Sequence, residues 1–164
     1  AYDRFARGDR AALTDPQRRG LALFMGKGIC TACHTPPQFT SAVAVAEGTY
    51  FNVGIGFSAA SSPPASPGRR AVTGRDEDLG AFKPPTLRNV ARSAPYFHDG
   101  SVKTLEAAVR IMAEGGIPNP HRSPLLEDRG LTAPERADLL AFLGALDCEP
   151  LAVPPGLVEP AGAP

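Results

Sequence analysis

A mainly helical domain with long irregular loops is the fold class this sequence predicts, on three observations. Thr14 stands three residues before Gln17 with Pro16 between them, and Thr132 stands three before Glu135 with Pro134 between them. Each is a capping box with proline in the first turn, which starts a helix by satisfying backbone donors that lack intrahelical partners. Leu105, Ala108, Val109 and Met112 recur at i, i+3, i+4 and i+7, the buried face of another helix. The third observation is 17 glycines and 18 prolines among 164 residues, far above ordinary usage, so long stretches must run as irregular backbone.

The length suits a single domain, 1–149, followed by a Pro/Ala/Gly-rich tail, 150–164, that can bury little. Lys and Arg number 17 and so do Asp and Glu, which argues against nucleic acid or an anionic membrane surface as a partner. No apolar run approaches the length of a membrane span.

Taken in order, the arm Ala1 to Leu13 mixes Tyr2 and Phe5 with charged side chains and is expected to pack along a surface. The helix announced by Thr14 presents Leu21, Phe24 and Met25 as its apolar face, and Gly26 and Gly28 end it. From Thr35 to Gly80 the composition shifts to Pro, Gly, Ser and Ala, predicting loop with a mobile stretch at about 58–70. Within it, Tyr50, Phe51, Val53, Ile55 and Phe57 form either a short strand or apolar lining for a pocket. The cluster Arg69, Arg70, Arg75, Asp76, Glu77 and Asp78 reads as a solvated loop. Thr86, after two prolines, is expected to start a short helical turn, followed by an aromatic loop closed by Asp99-Gly100. Gly115-Gly116 stops the helix begun at Thr104, and Leu139, Leu140, Phe142, Leu143 and Leu146 line the last helix, set to pack across the first. Cys148 reads as a small buried hydrophobe, with a free thiol as the alternative.

The chemistry concentrates in Cys30-Thr31-Ala32-Cys33-His34, placed where a helix hands over to a turn. Two thiols three positions apart with an imidazole after the second match c-type haem attachment: both sulfurs bond the porphyrin edge and the histidine binds iron. A thioredoxin-like redox pair would want a βαβ context, and a zinc site a second Cys/His pair at ligand spacing; the sequence offers neither. The fold class thus narrows to a cytochrome c-like helical haem domain. Covalent haem attachment implies export, so the chain is expected in the periplasm, with Ala1 a processed or trimmed start.

For the sixth iron position Met112 is the leading candidate, since a soft neutral thioether suits haem iron and raises its potential. Spacing alone reads Met112 more plainly as a core methionine, and Met25 likewise. His98, in a polar turn, and His121, between Pro120 and Arg122, are rivals that periodicity does not rank.

Gly20-Leu21-Ala22-Leu23-Phe24 before the Cys30 motif, Asn52-Val53-Gly54, Pro85-Thr86-Leu87-Arg88-Asn89-Val90, Ala94-Pro95-Tyr96-Phe97-His98-Asp99-Gly100 and Leu105-Glu106-Ala107-Ala108-Val109 together carry a resemblance. From Ala1 to about Asp147 the chain resembles the C-terminal haem domain of the bacterial di-haem cytochrome c peroxidase and MauG family. The resemblance implies one covalent haem c on Cys30 and Cys33, with His34 as proximal ligand and Met112 as the methionine ligand of the electron-transferring haem. It also implies His98 near the haem propionates, and a calcium held partly by the backbone carbonyls of Ser93 and Pro95. The departures are a single attachment motif and no tryptophan.

The expected function is a mono-haem c-type electron-transfer domain, His/Met-ligated, that relays single electrons to or from a redox partner protein or a second haem domain. The alternative is the C-terminal half of a di-haem peroxidase or MauG-like oxidase, catalytically active only with a second haem domain.

Overall fold

The structure, a computed structural model, describes residues 1–42, 49–57, 64 and 66–148. The mobile loop expected at about 58–70 falls largely on residues outside that set, and the tail 150–164 lies wholly outside it. Among the described residues the helices are α1 (Tyr2–Ala6), α2 (Asp15–Met25), α3 (Arg70–Thr73), α4 (Leu105–Ala113) and α5 (Ala133–Gly144), with 3-10 turns at Cys30–Ala32, Asp76–Asp78 and Val90–Arg92. Extended pairing among those residues is confined to isolated bridges, Phe51 with Phe82, Gly68 with Ala81 and Tyr96 with Val102. The fold is therefore mainly helical with long loops.

Both capping boxes form. Gln17 N donates to the Thr14 hydroxyl at 3.5 Å and Thr14 N to the Gln17 side chain at 2.9 Å. At α5, Glu135 N donates to the Thr132 hydroxyl at 3.4 Å and Thr132 N to Glu135 at 2.7 Å. Thr104 caps α4 by accepting from Ala107 N. Gly26 N and Gly28 N return to the carbonyls of Ala22 and Leu23, both at 2.8 Å, which ends α2 at Met25, five residues before Cys30.

α2 lies against α5, and the contact is close because residue 20 has no side chain. A Cβ there would stand 2.0 Å from the Asp138 carbonyl oxygen and 2.7 Å from Phe142 Cβ. Around that approach Phe24, Phe39 and Phe142, all fully buried, pack with centroids 5.3 to 6.1 Å apart, Phe39 edge to face with the other two and Phe24 tilted against Phe142, and Tyr2 of α1 adds its ring 4.9 Å from Phe39. Two ion pairs tie the rims: Arg19 grips Asp138 with two 2.7 Å bonds, and Lys27 reaches Glu135 at 2.8 Å.

Four expectations are corrected. Met25 is 59% exposed; the buried face runs through Gly20 and Phe24, four apart, and the next residue turns about 100° away from it. Cys148 is exposed, held through its backbone N–H by the Asn89 side chain. Thr86 starts no helix: its hydroxyl donates to the Gln38 carbonyl, and the 3-10 turn begins at Val90. In the charged segment, residues 70–77 are exposed as a solvated loop would be, and the correction falls on Asp78. Asp78 is buried, accepts from Thr73 at 2.6 Å and Arg75 at 3.1 Å, and lies 3.4 Å from Arg69, whose guanidinium stacks over Tyr50.

Candidate functional site

One cavity of about 600 Å³ opens between the Cys30 turn, α4 and the loops, within the ~300–1,000 Å³ span of ligand pockets. The Cys30 turn contributes Cys30, Cys33 and His34; α4 contributes Leu105, Ala108, Val109 and Met112. Phe51, Val53 and Ile55 line it as the lining alternative anticipated, with Phe51 paired to Phe82 on the same wall. Ser93, Pro95 and His98 also reach it, and His98 is fixed by stacking on Phe82 with centroids 3.9 Å apart. His121 is not among the lining residues.

His34 is the most constrained group here. Its Nδ1 lies 3.1 Å from the Phe39 carbonyl and 3.2 Å from that of Pro85. A carbonyl only accepts, so Nδ1 carries the proton and donates, leaving Nε2 with the lone pair that can bind a metal. Burial holds the imidazole below its ordinary pKa, against the opposing pull of the two carbonyl bonds, so the ring is neutral at pH 7.

Both thiols are protonated in this apolar setting. Burial pushes Cys30 up to about 11 and raises Cys33 as well. The Cys30 thiol points back to the Gly28 carbonyl at 3.6 Å, and Ile29, in the left-handed region at φ 50°, turns the chain sharply from α2 into the motif. Non-glycine residues at positive φ gather around the cavity: Ile29 and Phe97 line it, Phe39 accepts from His34, and Asn89 precedes Val90 in the wall. Such conformations persist only where their surroundings over-determine them.

Bonds between distant segments hold the loops around the cavity, and periodicity gave no sign of them. Asn52, 2% exposed, donates to the Leu79 carbonyl at 2.7 Å, accepts from Gly54 N at 2.7 Å and exchanges bonds with Asn119, each at 3.2 Å. It joins the loops 49–57, 79–82 and 115–123, and the backbones approach closely enough that a Cβ on Gly54 would sit 2.1 Å from the Ile117 carbonyl. Arg129 ties the loop after Met112 to α4, its backbone N–H donating to the Ala113 carbonyl at 2.9 Å. Arg88 joins the Pro37 carbonyl to Asp3.

No family model matches the chain. It is 34% identical over 152 residues to the methylamine utilization protein MauG of Methylorubrum extorquens, covering 93% of this chain and 40% of that protein. A cytochrome-c peroxidase of Pseudomonas sp. (strain SCT) is 33% identical over 193 residues, 99% of this chain and 49% of its own length. The cytochrome c551 peroxidase of Nitrosomonas europaea is 40% identical over 111 residues, 68% of this chain and 31% of its own. The chain thus spans less than half the length of these curated relatives. Among solved structures, a MauG-like protein associated with microbial copper homeostasis superposes with a TM-score of 0.80 at 36% identity, covering 94% of this chain and 53% of that one. By these likenesses, the chain belongs to the MauG and di-haem cytochrome c peroxidase family.

Proposed function

We propose that this chain is a mono-haem c-type electron-transfer domain in which Cys30 and Cys33 would bond the haem and His34 and Met112 would ligate its iron. The observation that supports it most is the gathering of these four side chains on one apolar cavity, with the Nδ1 of His34 tied to carbonyls and its Nε2 left to coordinate. The residues fit the group: two neutral thiols, a neutral imidazole of fixed tautomer, a thioether on α4 and a cavity walled by aromatic and aliphatic side chains.

A bound haem c supplies one-electron exchange between ferric and ferrous iron. The chain's own residues do the rest. His34 is held against rotation by Phe39 and Pro85. Met112, a soft neutral donor, favours the reduced metal. Leu105, Ala108 and Val109 exclude water from the same wall. His98, steadied by Phe82, stands ready to hydrogen-bond a propionate.

Coverage of less than half of each curated relative favours a second reading of the whole assembly. In it the chain is the C-terminal half of a di-haem peroxidase or MauG-like oxidase, passing electrons to a second haem domain that performs the oxidant chemistry. The carbonyls of Ser93 and Pro95 would then share a calcium with a ligand from that other domain. Periplasmic residence follows from covalent haem attachment, and no described helix is long and apolar enough to cross a membrane.

Absorption spectroscopy of the haem-loaded chain tests the ligand set. The expected result is a sulfur-to-iron charge-transfer band in the oxidised protein that Met112→Ala abolishes, with a lower potential and new carbon monoxide binding. A high-spin ferric parent that reacts quickly with peroxide would replace the relay with catalysis at this site.

A further inference from the structure

We propose that Arg88 is a positioning residue for His34: bridging Asp3 and Pro37, it holds the Phe39 carbonyl on the imidazole Nδ1–H and so sets the donor strength of the imidazole. The inference rests on the reading of His34 as the iron ligand.

Phe39 supplies one of the two carbonyls on His34 Nδ1, that of Pro85 being the other. Its side chain is fully buried, yet its backbone sits at φ 54°, a conformation a bulky aromatic does not hold unaided. That conformation aims its carbonyl at two donors at once, His34 Nδ1 at 3.1 Å and Leu87 N at 3.3 Å. The turn is held by side chains from the segment after Pro84 and by its own threonine. Thr40 donates to the Pro84 carbonyl at 2.6 Å, and Thr86 to the Gln38 carbonyl. Arg88 donates to the Pro37 carbonyl from Nε at 3.1 Å and Nη2 at 2.7 Å.

Of these, Arg88 reaches furthest. Its two terminal nitrogens take the two Asp3 oxygens at 2.7 Å each, and its guanidinium carbon lies 5.2 Å from the Phe39 ring centroid and 5.6 Å from that of Tyr2. The Arg88 side chain is 14% exposed. α1 is fixed in turn where Tyr2 N donates to the Ala145 carbonyl at 3.2 Å. The N-terminal arm, to which sequence reading gave only a packing role, therefore delivers the carboxylate that orients Arg88. A carbonyl accepting from the outer nitrogen of a metal-binding imidazole raises its basicity as a ligand. Losing register there weakens the donor and favours the reduced metal.

The test uses the haem-loaded chain and reads midpoint potential beside thermal stability. Arg88→Lys keeps the charge but not the planar fork. It is expected to raise the potential by up to a tenfold change in the reduced-to-oxidised ratio, about 59 mV for one electron. Asp3→Asn, which leaves the Pro37 bonds intact, is expected to move the potential the same way by less and carries the test if Arg88 variants fail to load. Arg19→Met cuts a comparable ion pair between α2 and α5 and should lower stability at unchanged potential. Potentials equal to the parent in the Arg88 and Asp3 variants would make Arg88 a staple for α1 and overturn the proposal. His34→Gly separates this from the underlying reading: an unchanged spectrum there would show that another residue binds the iron.

Discussion

The α2/α5 pair and the loop segments 35–42 and 79–100 are held by different means. The helical pair is held by apolar contact: Phe24 and Phe142 are buried against each other, Gly20 lets the backbones meet, and the polar bonds across it are rim ion pairs. The loops send Phe39, Val90 and Tyr96 into the same core, but their turns are held by side chains bonding to specific carbonyls, those of Pro37, Gln38, Phe39, Leu79 and Pro84. Apolar packing scales with area and tolerates small shifts; a bond to one carbonyl fixes one atom. The two regions should therefore fail differently, one in stability and the other in geometry.

The largest effect is expected from Phe142→Ala. The ring is fully buried among Phe24, Phe39 and Tyr2, and its removal should cost about 3–5 kcal/mol, read by denaturant unfolding. A loss under about 1 kcal/mol would mean that the helical pair is not where stability resides.

Asn52→Ala comes next. It strips partners from Gly54 N and the Leu79 carbonyl, at about 1–3 kcal/mol for a buried group left unsatisfied. Amide exchange should quicken at Gly54, Ile117 and Ser123, which pack through this hub, while the α5 amides keep their parent rates. Uniform acceleration, α5 included, would erase the distinction between the regions.

The smallest effect is at the rim. Bonds from Lys27, then from the Thr132 backbone and side chain, hold the Glu135 carboxyl down at about 2 against an ordinary 4.5. Since the folded pKa is depressed, the associated stability is present above about 4.5 and is lost as pH falls through about 2. Lys27→Met removes the largest cause, so its unfolding free energy should depend less on pH across that window than the parent's. Parallel curves for the two proteins would show that the pair contributes nothing.

What could be read from sequence followed the same division. Thr14, Thr132 and the stripe from Leu105 to Met112 were legible because caps and amphipathic faces are local, spanning three to seven residues. Cys30, Cys33 and His34 were legible for the same reason. Arg88 and Asp3 are 85 positions apart and Asn52 and Asn119 are 67 apart, and a bond from a side chain to a distant carbonyl has no period to betray it. Asp78 was misjudged because a carboxylate among three arginines reads as solvated until the chain folds Thr73, Arg75 and Arg69 around it. Met25 was misjudged because a bare apolar count did not recognise Gly20 as part of the buried stripe.

Gly20 bears finally on when this molecule can become itself. A glycine inside α2 weakens that helix on its own by roughly 0.5–1 kcal/mol relative to alanine, and its compensating neighbour is Asp138, more than a hundred residues downstream. As the polypeptide emerges during synthesis, the thiols at 30 and 33 arrive long before the segment that braces them. Any shortened version ending ahead of α5 would display its attachment motif on an unsupported helix, and maturation of the domain should wait for α5 to appear.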